Sequence, residues 1–133
     1  MRILFISLLI TAVVVSCAIQ KSIRADFENN FKIYNEQMRW HQFEDIILFP
    51  SDSIVGEFKK RAMAAKNVAV VDYRILSVKY EEEKKEAEAK IEIDYYSNSS
   101  PRVRTVVDNQ KWSYQIKKGK GVWKLMSLLP EFP

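Results

Sequence analysis

The sequence predicts an α+β domain in which a curved four-stranded antiparallel sheet wraps around a long helix. Three observations predict it. Apolar residues recur at helical spacing after Asp26, "EAEAKIEIDYYS" alternates strictly with a period of two, and turn chemistry cuts the second half of the chain into four strands. The 133 residues, 47% of them hydrophobic, are enough for one compact domain with its own core.

The chain opens on "MRILFISLLITAVVVSCAIQKS". Arg2 supplies a positive charge, Ile3 to Val15 an apolar run, and Ser16 a small residue directly before Cys17, so residues 1–16 read as an export signal. Residues 17–25, with Lys21 and Arg24, then form a polar tether, and the folded domain occupies 26–133. Ile3 to Ile19 also reaches the lower limit of about 17 residues for a membrane span, which leaves an uncleaved N-terminal helix as the alternative.

A first helix is expected over about 26–48, with Asp26 as N-cap and Phe27, Phe31, Tyr34 and Met38 on one face. A second arc of Ile33, Trp40, Phe43 and Ile47 implies that this helix is covered on more than one side, and Pro50 ends it. A second helix over about 52–66 starts with Ser and Asp caps and carries Ile54, Phe58, Ala62 and Ala65 inward. Strands follow over about 68–80, 87–97, 102–116 and 121–129. The charged "EEEKKE", then "NSSP", then "KKGKG" make the turns between them. In the third strand the apolar parity changes from Val103, Thr105 and Val107 to Trp112, Tyr114 and Ile116, so a β-bulge near Asp108–Asn109 is expected. Phe31, Tyr34, Trp40, Ile91, Ile93 and Trp112 are the expected core anchors.

Composition narrows the chemistry. Cys17 is the only cysteine and His41 the only histidine, so there is no intramolecular disulfide and no zinc ligand set; no metal and no cofactor are expected. A net charge of +4 is too modest to indicate nucleic acid. Gly56, Gly119 and Gly121 form no phosphate-cradling loop. His41, Asp72, Asp94, Tyr73 and Tyr95 are the local candidates for acid–base work. Asp94 alternates with inward Ile93 and Tyr95 and faces solvent, so His41 and Asp72 remain as the catalytic candidates. Trp40, Trp112, Tyr114 and Trp123 either line a ligand pocket or fill the core. Lys117, Lys118 and Lys120 of the "KKGKG" turn, with Arg102 and Arg104, form either a solvated basic rim or a contact with anionic headgroups.

Two resemblances extend this reading. "VVSC", Val14 to Cys17, resembles the lipobox of bacterial lipoprotein signal peptides. That resemblance implies a diacylglycerol on the Cys17 thiol, cleavage before Cys17 and usually acylation of the new amino group. Ala18, where many Gram-negative lipoproteins kept in the inner membrane have aspartate, implies the outer membrane, facing the periplasm. Two helices before four antiparallel strands, with "RWHQFEDIILF", "QKWSYQ" and "GVWKLMSL", resemble the nuclear-transport-factor-2-like or cystatin-like superfamily over about Asp26 to Phe132. That superfamily contains isomerases, dehydratases and non-catalytic adaptors, so the fold does not select the function. The expectation is a lipid-anchored envelope protein whose domain is a non-catalytic binding or assembly module, held to the membrane through Cys17 and open to an envelope protein partner. The alternatives are an isomerase- or dehydratase-type enzyme and a bitopic secretion-system scaffold subunit.

Overall fold

A computed structural model describes the backbone of residues 2–133 and the side chains of residues 13–133. Most of the expected signal segment, 1–16, therefore lies outside the residues described in full. Helix α1 spans Arg2–Arg39, α2 Phe43–Ile46 and α3 Val55–Ala64; strands β1 (Val68–Glu81), β2 (Glu86–Ser97), β3 (Ser100–Lys117) and β4 (Lys120–Leu125) follow. The long helix packs on a four-stranded antiparallel sheet of order β1-β2-β3-β4 and touches both edge strands, so the sheet curls round it.

Helix α1 departs from its expected limits at both ends. Asp26 is no cap, because no Gly or Pro occurs before Pro50 to break the helix there. Arg24 and Glu28 pair at 3.4 Å across the expected start. Ile23, part of the expected tether, is the first packed residue of a buried stripe that continues through Phe27, Phe31, Tyr34 and Met38. The helix ends at Arg39, not near Leu48, because His41 takes a left-handed φ of 61°. That turn redirects the chain and lets Phe43 and Ile46 of α2 enter the core. The second arc accordingly stays uncovered on α1 itself: Ile33 is exposed and Trp40 is 65% exposed, so Trp40 is not a core anchor. Pro50 ends no helix; it bridges Leu125 in parallel. Helix α3 begins later than expected, after Ile54, with no side-chain cap.

In the sheet, β2 presents Ala87, Ala89, Ile91, Ile93 and Tyr95 inward, as its alternation predicts. The expected bulge at Asp108–Asn109 does not exist. Residues Arg104 to Ser113 pair with β2 in unbroken register, and the irregularity lies near the β2–β3 turn, between Tyr95 and Ser97. Because pairing fixes which face a side chain takes, β3 follows the phase of β2. Val103, Thr105 and Val107 are therefore exposed, and Asp108, Gln110 and Trp112 point into the core. Strand β1 carries two shifts, between Val70 and Asp72 and between Ile75 and Ser77, which leave Val71 and Leu76 unpaired and exposed.

The core is aromatic. Phe27 meets Phe31, Tyr80, Trp112 and Trp123, and Tyr34 meets Phe49, Phe58 and Trp112. Strand β4 ends at Leu125, and Met126 and Ser127 stay beside β3 by bonding Lys111. Among the described residues no helix is long and apolar enough to cross a membrane.

Candidate functional site

The four aromatic residues offered as pocket lining do not share one cavity. Trp112 and Trp123 are core residues, Tyr114 is half-buried against Trp123 with ring centres 5.5 Å apart, and Trp40 stands outside. Over the Trp40 ring lies the Arg39 guanidinium at 4.8 Å, and its indole N–H donates to Glu36. His41 is exposed at the end of α1, edge-on to Phe43. Asp72 is exposed on β1 and accepts a bond from the Tyr73 backbone N–H at 2.9 Å. Asp94 lies on the outer face, where bonds from Arg74 and Thr105 hold its carboxyl down to about 2.

The basic residues divide between the two ends of the sheet. Arg102 and Arg104 adjoin the β2–β3 turn, and Arg104 donates to the Pro133 carbonyl at 2.7 Å. Lys117, Lys118 and Lys120 form the β3–β4 turn at the other end of β3, and Lys117 is paired with Asp52 at 2.7 Å. No single rim joins the two groups.

A polar cluster in the seam between α1 and β3 was not foreseen. Gln110 Nε2 donates to Asn35 Oδ1 at 2.9 Å and to Asp108 Oδ2 at 2.8 Å, while Trp112 Nε1 donates to Gln110 Oε1 at 3.2 Å. Asn35 in turn donates to the Phe31 carbonyl, which ties the network to α1. Burial pushes the Asp108 carboxyl up to about 7, partly offset by the Gln110 bond. The Tyr34 hydroxyl, buried without a hydrogen-bond partner, is held well above its usual range by burial and by the Asp108 charge. Of these groups Asp108 alone can hold and release a proton near neutral pH. The larger surface grooves are lined by other residues, including one of about 590 Å³ between α3 and the Pro130–Pro133 tail. One signal in the sequence pointed to the cluster: carrying the phase of Trp112 back by twos reaches Gln110 and Asp108.

At the other extreme, Cys17 is exposed on α1, and residues 13–22 are exposed throughout. Among the residues with described side chains packing begins at Ile23, whose carbonyl accepts the Trp123 indole N–H at 2.9 Å. Among the described residues no three His, Cys, Asp or Glu side chains converge to hold a metal ion. No protein-family model matches the chain, and no curated protein matches it.

Proposed function

We propose that this chain is a bacterial envelope lipoprotein, anchored by acyl chains on Cys17, whose α+β domain is a non-catalytic binding or assembly module. One observation carries the reading: Cys17 stands exposed six residues ahead of Ile23, and residues 13–22 bury nothing. Cleavage before Cys17 therefore removes no core contact among the described residues. The "VVSC" resemblance supplies the chemistry, in which a thiolate is alkylated to a stable thioether. Each buried methylene of an acyl chain contributes about 0.8 kcal/mol, so two or three chains anchor the protein durably. The resemblance to non-catalytic adaptors of the cystatin-like fold supports the module reading. So does apolar surface on the edge strand: Ile75, Leu76 and Val78 of β1 lie about half exposed. Ala18 supports the outer membrane, facing the periplasm.

The unbroken course of α1 from Arg2 to Arg39 favours a second reading, an uncleaved bitopic helix. One experiment separates the two. Under the lipoprotein reading, wild-type protein incorporates labelled fatty acid and its mature mass begins at Cys17, whereas Cys17→Ala accumulates as unlabelled precursor. Equal labelling of Cys17→Ala refutes lipid attachment, and mature wild-type protein that retains residues 1–16 supports the bitopic helix.

A further inference from the structure

We infer that the β3–β4 hairpin is a second membrane contact, a finger that lies on anionic headgroups beside the Cys17 anchor; this rests on the lipid-anchor reading. The tip "QIKKGKGV", Gln115 to Val122, holds three lysines and no acid. Ile116 has the inward parity of Trp112 and Tyr114 and pairs with Gly121, yet it is 69% exposed. Lys118 and Gly119 make the turn with φ of 50° and 77°. Lys117 is engaged by Asp52, while Lys118 and Lys120 have no ion pair among the described residues. An apolar side chain flanked by lysines suits a bilayer surface, where the sec-butyl group enters and the amines stay at the headgroups.

The position of the finger follows from chain geometry. Trp123 and Ile23 meet through a hydrogen bond, and both the anchor and the hairpin leave from that point. Six helical residues from Ile23 to Cys17 span about 9 Å. Three strand residues from Trp123 to Lys120 span about 10 Å. Anchor and fingertip thus reach a similar level. Of the acids at this end, Asp52 neutralises Lys117, while Glu82 and Glu83 are set back in the β1–β2 turn, which is level with Tyr114 through the Lys85 carbonyl; β3 runs on from there to Lys117, roughly 10 Å further. On α1, Glu28 is paired with Arg24, and Lys21 adds positive charge nearer Cys17. Tethering keeps the finger at high local concentration, so an attraction that is weak per lysine is enough. Arg102 and Arg104, at the other end of β3, take no part.

The test uses the full chain with its acyl anchor, carrying Ile116→Cys labelled with an environment-sensitive dye and reconstituted on phosphatidylcholine vesicles with or without phosphatidylglycerol. On anionic vesicles the dye should shift to the blue and be quenched by a lipid-borne quencher. Lys118→Glu with Lys120→Glu should weaken that contact by about tenfold or more. A dye at Val103→Cys, on the outer face near the β2–β3 turn, should stay aqueous throughout. If the protein floats with both kinds of vesicle while the dye at position 116 stays aqueous, the finger is wrong and the anchor stands. If flotation occurs only with anionic lipid and is lost in high salt, the anchor fails and the finger survives. A dye that shifts equally at positions 116 and 103 overturns the orientation and with it the inference.

Discussion

Asp108 keeps its carboxyl inside the α1–β3 seam, so the folded chain retains a proton there up to about pH 7, while an unfolded chain releases it near pH 4. Where the folded form binds more protons than the unfolded form, stability falls as pH rises. Asp108 therefore favours the fold fully below about pH 4, loses that contribution progressively up to about pH 7, and changes nothing further above it. Three pKa units correspond to about 4 kcal/mol as an upper figure. Urea melts of the wild type should thus show stability declining from pH 4.5 to 7.5 relative to Asp108→Asn, which cannot titrate; parallel curves for the two proteins would refute the raised, buried carboxyl. Such a residue was hidden in the sequence for a clear reason. Val103, Thr105 and Val107 are better β formers than Asp108 and Gln110, and apolar alternation alone assigns them to the core. The structure reverses that assignment because β3 must stay in phase with β2.

At the level of elements, the instructive case is the end of α1. Apolar spacing continues smoothly from Tyr34 through Trp40 to Ile47, yet the left-handed turn at His41 interrupts it. Trp40 and Trp112 look equivalent as large apolar residues in periodic segments. One is 65% exposed and the other 1%. Trp112 contacts rings of Phe27, Tyr34 and Phe49, so Trp112→Ala should cost about 3–5 kcal/mol in denaturant unfolding. Trp40→Ala should stay within about 1 kcal/mol. Equal losses for the two variants would mean that the His41 turn does not set the end of the helix. Strand β2 was legible from Glu86 to Tyr95, since every inward residue there is small or apolar and every outward one is charged.

For the molecule as a whole, the question is where the folded unit begins. Ile23 and Phe27 bind the helix to Trp123 and Tyr80, whereas residues 13–22 bind nothing. A chain beginning at Ser22 should therefore unfold at the same urea midpoint as the complete chain in detergent. Deleting through Asn29 should remove about 3–6 kcal/mol, the cost of stripping one aliphatic and one aromatic anchor. A clear loss in the Ser22 form would place structural work in residues 1–21 and weaken the case for cleavage before Cys17. The same arrangement puts Cys17 and the β3–β4 turn at one end of the sheet, and Arg102 and Arg104 at the other.

By itself the sequence determined the fold class, the antiparallel strands with their turns, and the inward face of β2, because period, turn residues and branched side chains are local properties of the chain. It also singled out Cys17 as the residue on which the lipid-anchor proposal rests. Only the tertiary structure decided the phase of β3, the unbroken passage of α1 through Asp26, the exposure of Trp40 and the burial of Asp108. Each of these depends on a partner far away in the sequence: β2 sets the register of β3, Trp123 draws Ile23 into the core, and α2 enters the core only after His41 reverses the chain. Such long-range pairing can place a carboxyl inside and valines outside when the contacts of the neighbouring strand outweigh the local preference.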